Sequence, residues 1–267
     1  MIYKTLTIAG SDASGGAGIQ ADLKTFQNYG TYGMSAVTVL VAMDPKNNWA
    51  HQIFPIELPA IEAQLDSTLV GLAPHALKTG MLPTVEIIQL VADKLNQLAQ
   101  KPFIVIDPVM ACKGEEPLFP ENTTAIREQL LPLADIVTPN LFEAAQLAGM
   151  DTITTLEEAQ QAAIKIHQLG AKIVVIKAVP HEDGLIAELV FNGEAFGSFT
   201  HHHLSMENHY THGAGCTFSA CITAQVAQGR DPLAAIADAS AYVYNGIAHS
   251  EKLNAFTGAI LPDRQVL

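Results

Sequence analysis

Phe103-Ile104-Val105-Ile106-Asp107-Pro108 is the stretch on which the fold turns. Four apolar residues stand in a row, and the run stops at an acid before a proline. A strand with one wet face would alternate. An unbroken apolar run predicts a strand covered on both faces, the habit of parallel sheets. Outward from it the same pattern recurs. Ile136-Val137-Thr138 ends in Pro139-Asn140, Ala76-Leu77-Lys78 ends in Thr79-Gly80-Met81, and residues 172–177, 35–42 and Leu6-Thr7-Ile8-Ala9-Gly10 read as further buried strands. Helical patterns lie between them. Residues 19–29 turn Leu23 and Phe26 inward, and residues 58–70 make a second helix. Ile87, Ile88, Val91, Leu95 and Leu98 follow Thr84 as a cap, and Thr155-Leu156-Glu157-Glu158 forms a capping box for a helix ending at Gly170. Strand and helix alternate six times. That predicts an α/β fold with a doubly wound, mostly parallel sheet flanked by helices. Residues 185–200, broken by Asn192-Gly193, read as two short strands and a hairpin, a short antiparallel edge. No composition break or internal repeat divides the chain, so a single domain over 1–267 is expected.

The entry to the next helix is unusual. Thr211-His212-Gly213-Ala214-Gly215-Cys216-Thr217 leads into small and apolar residues through Val226, a buried helix starting near Ala214. A glycine-rich entry leaves the first backbone N–H groups bare, and their donors and the helix dipole both favour an anion. Cys216 stands in the first turn, where the same field favours thiolate. The other reading of the segment is a glycine turn before a core helix, with Cys216 as a small buried residue. Asp231-Pro232 then opens a last long helix.

Composition narrows the function classes. The chain has 267 residues, is 49% hydrophobic and 15% charged, and so can build a sizeable core. A net charge of −13 argues against nucleic acid or an anionic membrane as partner. The three cysteines, Cys112, Cys216 and Cys221, have neither an even disulfide framework nor metal-ligand spacing, which fits a reducing cytoplasm. Met1-Ile2-Tyr3-Lys4 runs straight into a strand pattern without a signal-peptide pattern, and the longest apolar run, 36–43, is too short to span a bilayer.

Ligands of open parallel sheets sit at the carboxyl ends of the strands. There this sequence places Gly10-Ser11-Asp12, Asp107 and Asn140, with Glu143 one turn on. Asp107 and Glu143 follow adjacent strands and can share a magnesium ion, directly or through water. Taken singly, Asp107 reads equally as a pre-proline turn residue and Asn140 as a helix cap. Glycines at 10, 15, 16 and 18 miss the dinucleotide spacing, and no G-K-[ST] loop exists. Ala111-Cys112-Lys113-Gly114-Glu115-Glu116-Pro117 reads as a mobile flap beyond Asp107. Cys221 reads as core. His201-His202-His203 ends an edge strand, where neighbours alternate faces, so it reads as surface.

Six blocks in order now carry a resemblance: Ala9-Gly10-Ser11-Asp12, Gly15-Gly16-Ala17-Gly18-Ile19-Gln20-Ala21-Asp22, Lys78-Thr79-Gly80-Met81-Leu82, Asp107-Pro108-Val109-Met110, Thr138-Pro139-Asn140-Leu141-Phe142-Glu143 and His212-Gly213-Ala214-Gly215-Cys216-Thr217. The set resembles the hydroxymethylpyrimidine/phosphomethylpyrimidine kinases and the Gram-positive pyridoxal kinases similar to them, within the ribokinase superfamily. The resemblance implies a ribokinase-like fold binding ATP and Mg2+, and passing the γ-phosphate to a ring-borne hydroxymethyl group. It implies Cys216 as catalytic base, where sugar kinases of the superfamily carry aspartate, and a catalytic part for Cys112 in the flap as well. Thr211, His212, Gly213, Ala214 and Gly215, with Asn140 and Lys177, would serve ATP and its anion hole, and Asp107 and Glu143 the metal. Gly10, Ser11, Asp12, Met43, His51, Gly80, Val109 and Cys112 would meet the acceptor. The pyrimidine kinases carry glutamine at the place of Met43. Met43-Asp44, His51 and a flap cysteine, Cys112, match the pyridoxal kinases, and a flap thiol can add to an aldehyde as a hemithioacetal. The implied substrate is therefore pyridoxal, in vitamin B6 salvage. The alternative is a hydroxymethylpyrimidine/phosphomethylpyrimidine kinase of thiamine biosynthesis. Lys177-Ala178-Val179 departs from the family's Lys-Gly-Gly. Superfamily habit adds a cytoplasmic homodimer.

Overall fold

The computed structural model describes residues 2–110, 121–207 and 209–262. The chain forms two compact units, Met1–Leu82 with Leu204–Leu267, and Pro83–His203.

In the first unit β1 (Lys4–Asp12) is the central strand. It pairs in parallel with β2 (Tyr32–Asp44) on one side and β4 (Ala76–Thr79) on the other. Its middle residues are buried, as the apolar run requires. β3 (Ala50–Pro55) adds antiparallel to β2 as an edge. The sequence pattern ended the second strand at Ala42 and gave no third. The observed strand runs on through Asp44, turns, and returns through Ala50-His51-Gln52. That segment is mostly exposed and lacks an apolar pattern, because an edge strand covered on neither face needs none.

Helix α1 (Gly18–Asn28) follows the glycine loop, and α2 (Leu58–Leu65) continues into wide turns at Asp66–Leu72. α7 (Ala214–Ala227) is buried at every position from Thr217 to Ala227, so it is covered around its whole circumference. Small residues permit this: Ala220 and Ala224 pack directly against Phe26 of α1. Cys221 is fully buried there, its thiol pushed up to about 12, first by burial. The core reading of that cysteine holds. α8 (Pro232–Ala248) is capped by Asp231, whose carboxylate accepts from the Ala234 amide at 3.0 Å. A two-stranded ribbon, β10 (Glu251–Lys252) with β11 (Gly258–Ala259), was not expected.

The second unit orders its strands β5-β6-β7-β8-β9. β5 (Phe103–Ile106), β6 (Ile136–Val137) and β7 (Ile173–Pro180) are parallel; β8 (Leu185–Phe191) and β9 (Phe196–His202) form the expected antiparallel hairpin. α3 (Val85–Gln97) is capped by Thr84, and α6 (Leu156–Gln168) by the Thr155–Glu158 box. A short α4 (Asn122–Ala125) runs on through irregular turns to Leu133, a segment left unassigned by the sequence pattern. α5 (Leu141–Ala148) starts at Asn140. The α/β architecture with mostly parallel strands and an antiparallel edge is thus what the chain adopts. Among the described residues no helix is long and apolar enough to cross a membrane.

Candidate active site

Two groups of residues form at strand ends, one in each unit. In the first unit the turn before α7 is made by Gly213 at φ 86°, a left-handed conformation suited to glycine, and no side chain caps the helix. The Ala214 amide bonds Thr211 O at 3.0 Å and Thr217 N bonds Gly213 O at 2.9 Å. Ala214, Gly215 and Cys216 are half-buried in the first turn. A glycine-led helix end without a side-chain cap, with a thiol in its first turn, is therefore present.

Beside it, Asp12 ends β1 and gathers donors. Its Oδ1 accepts from Ser14 N at 2.8 Å. Its Oδ2 accepts from Ser14 Oγ and Ala17 N, both at 2.9 Å, and from His212 Nε2 at 2.8 Å. Burial works to raise its pKa, but the hydrogen bonds from His212 and Ser14 outweigh that and hold it at about 2. Ser11 Oγ accepts from Gln20 Nε2 at 2.8 Å. A methyl group on Gly10 would stand 2.8 Å from Val39, and one on Gly80 2.8 Å from Ala9, so both glycines permit close strand contact. Met43 and His51 are direct cross-strand partners on β2 and β3. The sequence had placed them in one site without the strand that joins them.

One buried group escaped the sequence reading. Lys78 Nζ lies 3.0 Å from both oxygens of Asp22, and Thr7 Oγ1 donates to Asp22 at 2.6 Å. Lys78 and Asp22 are both fully buried. The visible signal was a lysine inside an apolar strand, which demands a buried partner.

In the second unit Asp107 is buried just beyond β5. Lys177 Nζ donates to its Oδ1 at 3.2 Å, and Thr138 Oγ1 at 3.4 Å. Asn140 and Glu143 form a capping box for α5: Glu143 N bonds Asn140 Oδ1 at 2.9 Å, and Asn140 N bonds Glu143 Oε2 at 2.8 Å. Met110 N adds a longer bond to Glu143 Oε1, 3.4 Å. Val109 is half-buried beside them, its amide bonded to Asp107 O at 2.9 Å. The helix-cap reading of Asn140 is thus satisfied within the protein. Burial pushes Glu143 up to about 7, helped by the Asp107 charge and opposed by Lys177. Two carboxylates share one ammonium, so this donor set is all oxygen and short of positive charge. Among the described residues no group of three or more His, Cys, Asp or Glu gathers to hold a metal. The pair fits a hard divalent cation that keeps water and borrows ligand oxygens. Cys112 and its flap lie outside the described residues.

Comparison with known proteins adds to this geometry. The sequence pattern of the Phosphomethylpyrimidine kinase family matches residues 12–260. A pyridoxine kinase of Bacillus subtilis (strain 168) is 50% identical over 261 residues, 96% of this chain and 94% of the relative. An ADP complex of Bacillus subtilis pyridoxal kinase superposes with a TM-score of 0.94 at 48% identity, covering 100% of both chains. The pyridoxal kinase from Staphylococcus aureus in complex with pyridoxal gives a TM-score of 0.90 at 42% identity, covering 99% of this chain and 96% of that one.

Proposed function

The chain belongs to the phosphomethylpyrimidine kinase family, and from that premise we propose that it is an ATP-dependent phosphotransferase acting on the 5-hydroxymethyl group of pyridoxal. The entry to α7 carries the reaction class: a left-handed Gly213 turns the first amides of a 14-residue helix outward and sets Cys216 among them. Phosphoryl transfer asks mainly for positioning and for neutralisation of spreading charge. In this reading the Cys216 thiolate takes the proton of the attacking hydroxymethyl group. The amides of Gly213, Gly215 and Cys216 receive the charge that develops on the phosphoryl oxygens, while the Ala214 amide closes the turn onto Thr211 O. Lys177, held by Asp107, pairs with phosphate. Asp107 and Glu143 would hold Mg2+, which supplies further neutralisation of the polyphosphate. The match of the family pattern from 12 to 260 supports one kinase domain over 1–267.

The Met43–His51 pairing favours pyridoxal over an aminopyrimidine. Neither a thioether nor this imidazole offers the paired donor and acceptor of a glutamine amide. The likeness to pyridoxine and pyridoxal kinases at 48–50% identity points the same way. The test is an ADP-release assay on pyridoxal, pyridoxine, hydroxymethylpyrimidine and its monophosphate. Pyridoxal should give the largest kcat/KM. A larger value for either pyrimidine would overturn the assignment. A homodimer in the cytoplasm completes the proposal; the exposed apolar edge around β3 supports the dimer.

A further inference from the structure

The acceptor-contact role implied for Asp12 conflicts with where its oxygens point. The side chain is 5% exposed, and both oxygens are engaged by protein donors: the Ser14 amide and hydroxyl, the Ala17 amide and His212 Nε2. Three of these donors meet Oδ2 and one meets Oδ1, so both oxygens of the carboxylate are turned into the protein. We infer that Asp12 is a positioning residue: it locks the glycine loop 14–17 to the turn at 212–213 and so aims the first amides of α7. This rests on the kinase reading given above.

The contact between loop and turn is made by backbone at Gly213 and by the His212 ring at Gly16, and the glycines show how close it is. A methyl group on Gly16 would lie 2.5 Å from the His212 ring. One on Gly213 would lie 1.9 Å from Gly16 O. Neither position tolerates a side chain, so no side chain of the loop or turn can be interposed there. Asp12 reaches both partners, the loop through Ser14 and Ala17 and the turn through His212. Because an ionised carboxylate only accepts, the proton in the 2.8 Å bond belongs to His212 Nε2. His212 is one residue before Gly213, where α7 begins. A shift of the histidine therefore moves the amides of Gly215 and Cys216 relative to bound phosphate. Misplacement of this kind costs turnover more than acceptor affinity.

A double-mutant cycle tests the inference. Asp12→Ala should lower kcat on the order of 10- to 100-fold and leave the acceptor KM within about twofold. His212→Ala should do the same, and the double variant should be no worse than the poorer single one, since the two act as one unit. Asp12→Asn should recover part of the loss, because its amide oxygen still accepts from the loop. Additive losses, or a raised acceptor KM with kcat unchanged, would overturn the inference. Nitrogen-15 NMR of the wild-type histidines needs no variant. His212 should carry its proton on Nε2, protected from exchange, and a proton on Nδ1 alone would also sink the idea. The cycle is run with whichever acceptor the ADP-release assay selects. Failure of the pyridoxal assignment therefore shows in that assay and leaves both readouts here intact.

Discussion

Cys216 is half-buried in the first turn of α7, behind a glycine that frees the helix amides. A thiol placed there can take a proton from a hydroxyl group held against bound phosphate. Cys216→Ala removes the base while leaving the backbone amides in place. Turnover should fall by about 10²–10⁴, with ATP affinity by calorimetry nearly intact; near-wild-type turnover would remove Cys216 from the role. Residues of this kind were legible because the chemistry is local: Gly213, Gly215 and Cys216 stand within four positions of one another in the sequence. The same holds for Asn140 and Glu143, whose spacing is that of a capping box. Asp22 and Lys78 were opaque for the opposite reason. Their pairing joins positions 56 residues apart, and only the folded β1–β4 register brings them together. The donors of Asp12 were opaque as well, since Ser14 and Ala17 lie on a loop whose path no periodicity predicts and His212 stands 200 residues away.

At the scale of elements, β7 holds a feature that the sequence flagged without explaining. Its register against β8 shifts between Ile176 and Val179, and Ala178 stands in the bulge at φ 56°. The family's glycine at this place would adopt that conformation freely. Alanine does so against a cost of roughly 1–2 kcal/mol. The bulge thus forms with alanine in it, and Lys177 Nζ lies 3.2 Å from Asp107. Ala178→Gly should raise stability by about 1 kcal/mol, read as a higher urea midpoint at unchanged m-value. Ala178→Val sets a β-branched residue in the same region; the bulge should give way, and the KM for ATP should rise while the acceptor KM stays. If the valine variant keeps the wild-type ATP KM, the bulge does not govern Lys177. Elements buried on both faces, such as β5 and β7, were legible from their apolar runs. β3, β10 and β11 were not, because short edge pairs take their order from neighbours and not from their own pattern.

Across the whole molecule, a net charge of −13 opposes association of copies of this chain, whereas an exposed apolar edge would favour it. Leu40 on β2 and Phe54 on β3 are direct cross-strand partners, 47% and 52% exposed. Because partners in register share a face, they form one apolar step. β3 is also the last strand on its side of the sheet, so its outer backbone groups are open to pairing. Soluble monomers blunt such an edge with charge; here residues 50–55 contain no Lys, Arg, Asp or Glu. The expected outcome is a homodimer, sedimenting at twice the 28.5 kDa of the chain at micromolar concentration. Charge should be the lever that separates it, because an added lysine must be desolvated at a closed interface but is solvated on an open edge. Phe54→Lys should shift the species to monomer and leave the unfolding transition of the isolated chain nearly unmoved, since Phe54 is half exposed in the single copy. Salt should act in the opposite direction on the wild type: screening the like charges of two acidic copies strengthens an apolar contact. A wild-type chain that sediments as a monomer at both low and high salt would show that this edge is solvated and that the apolar step joins no second copy.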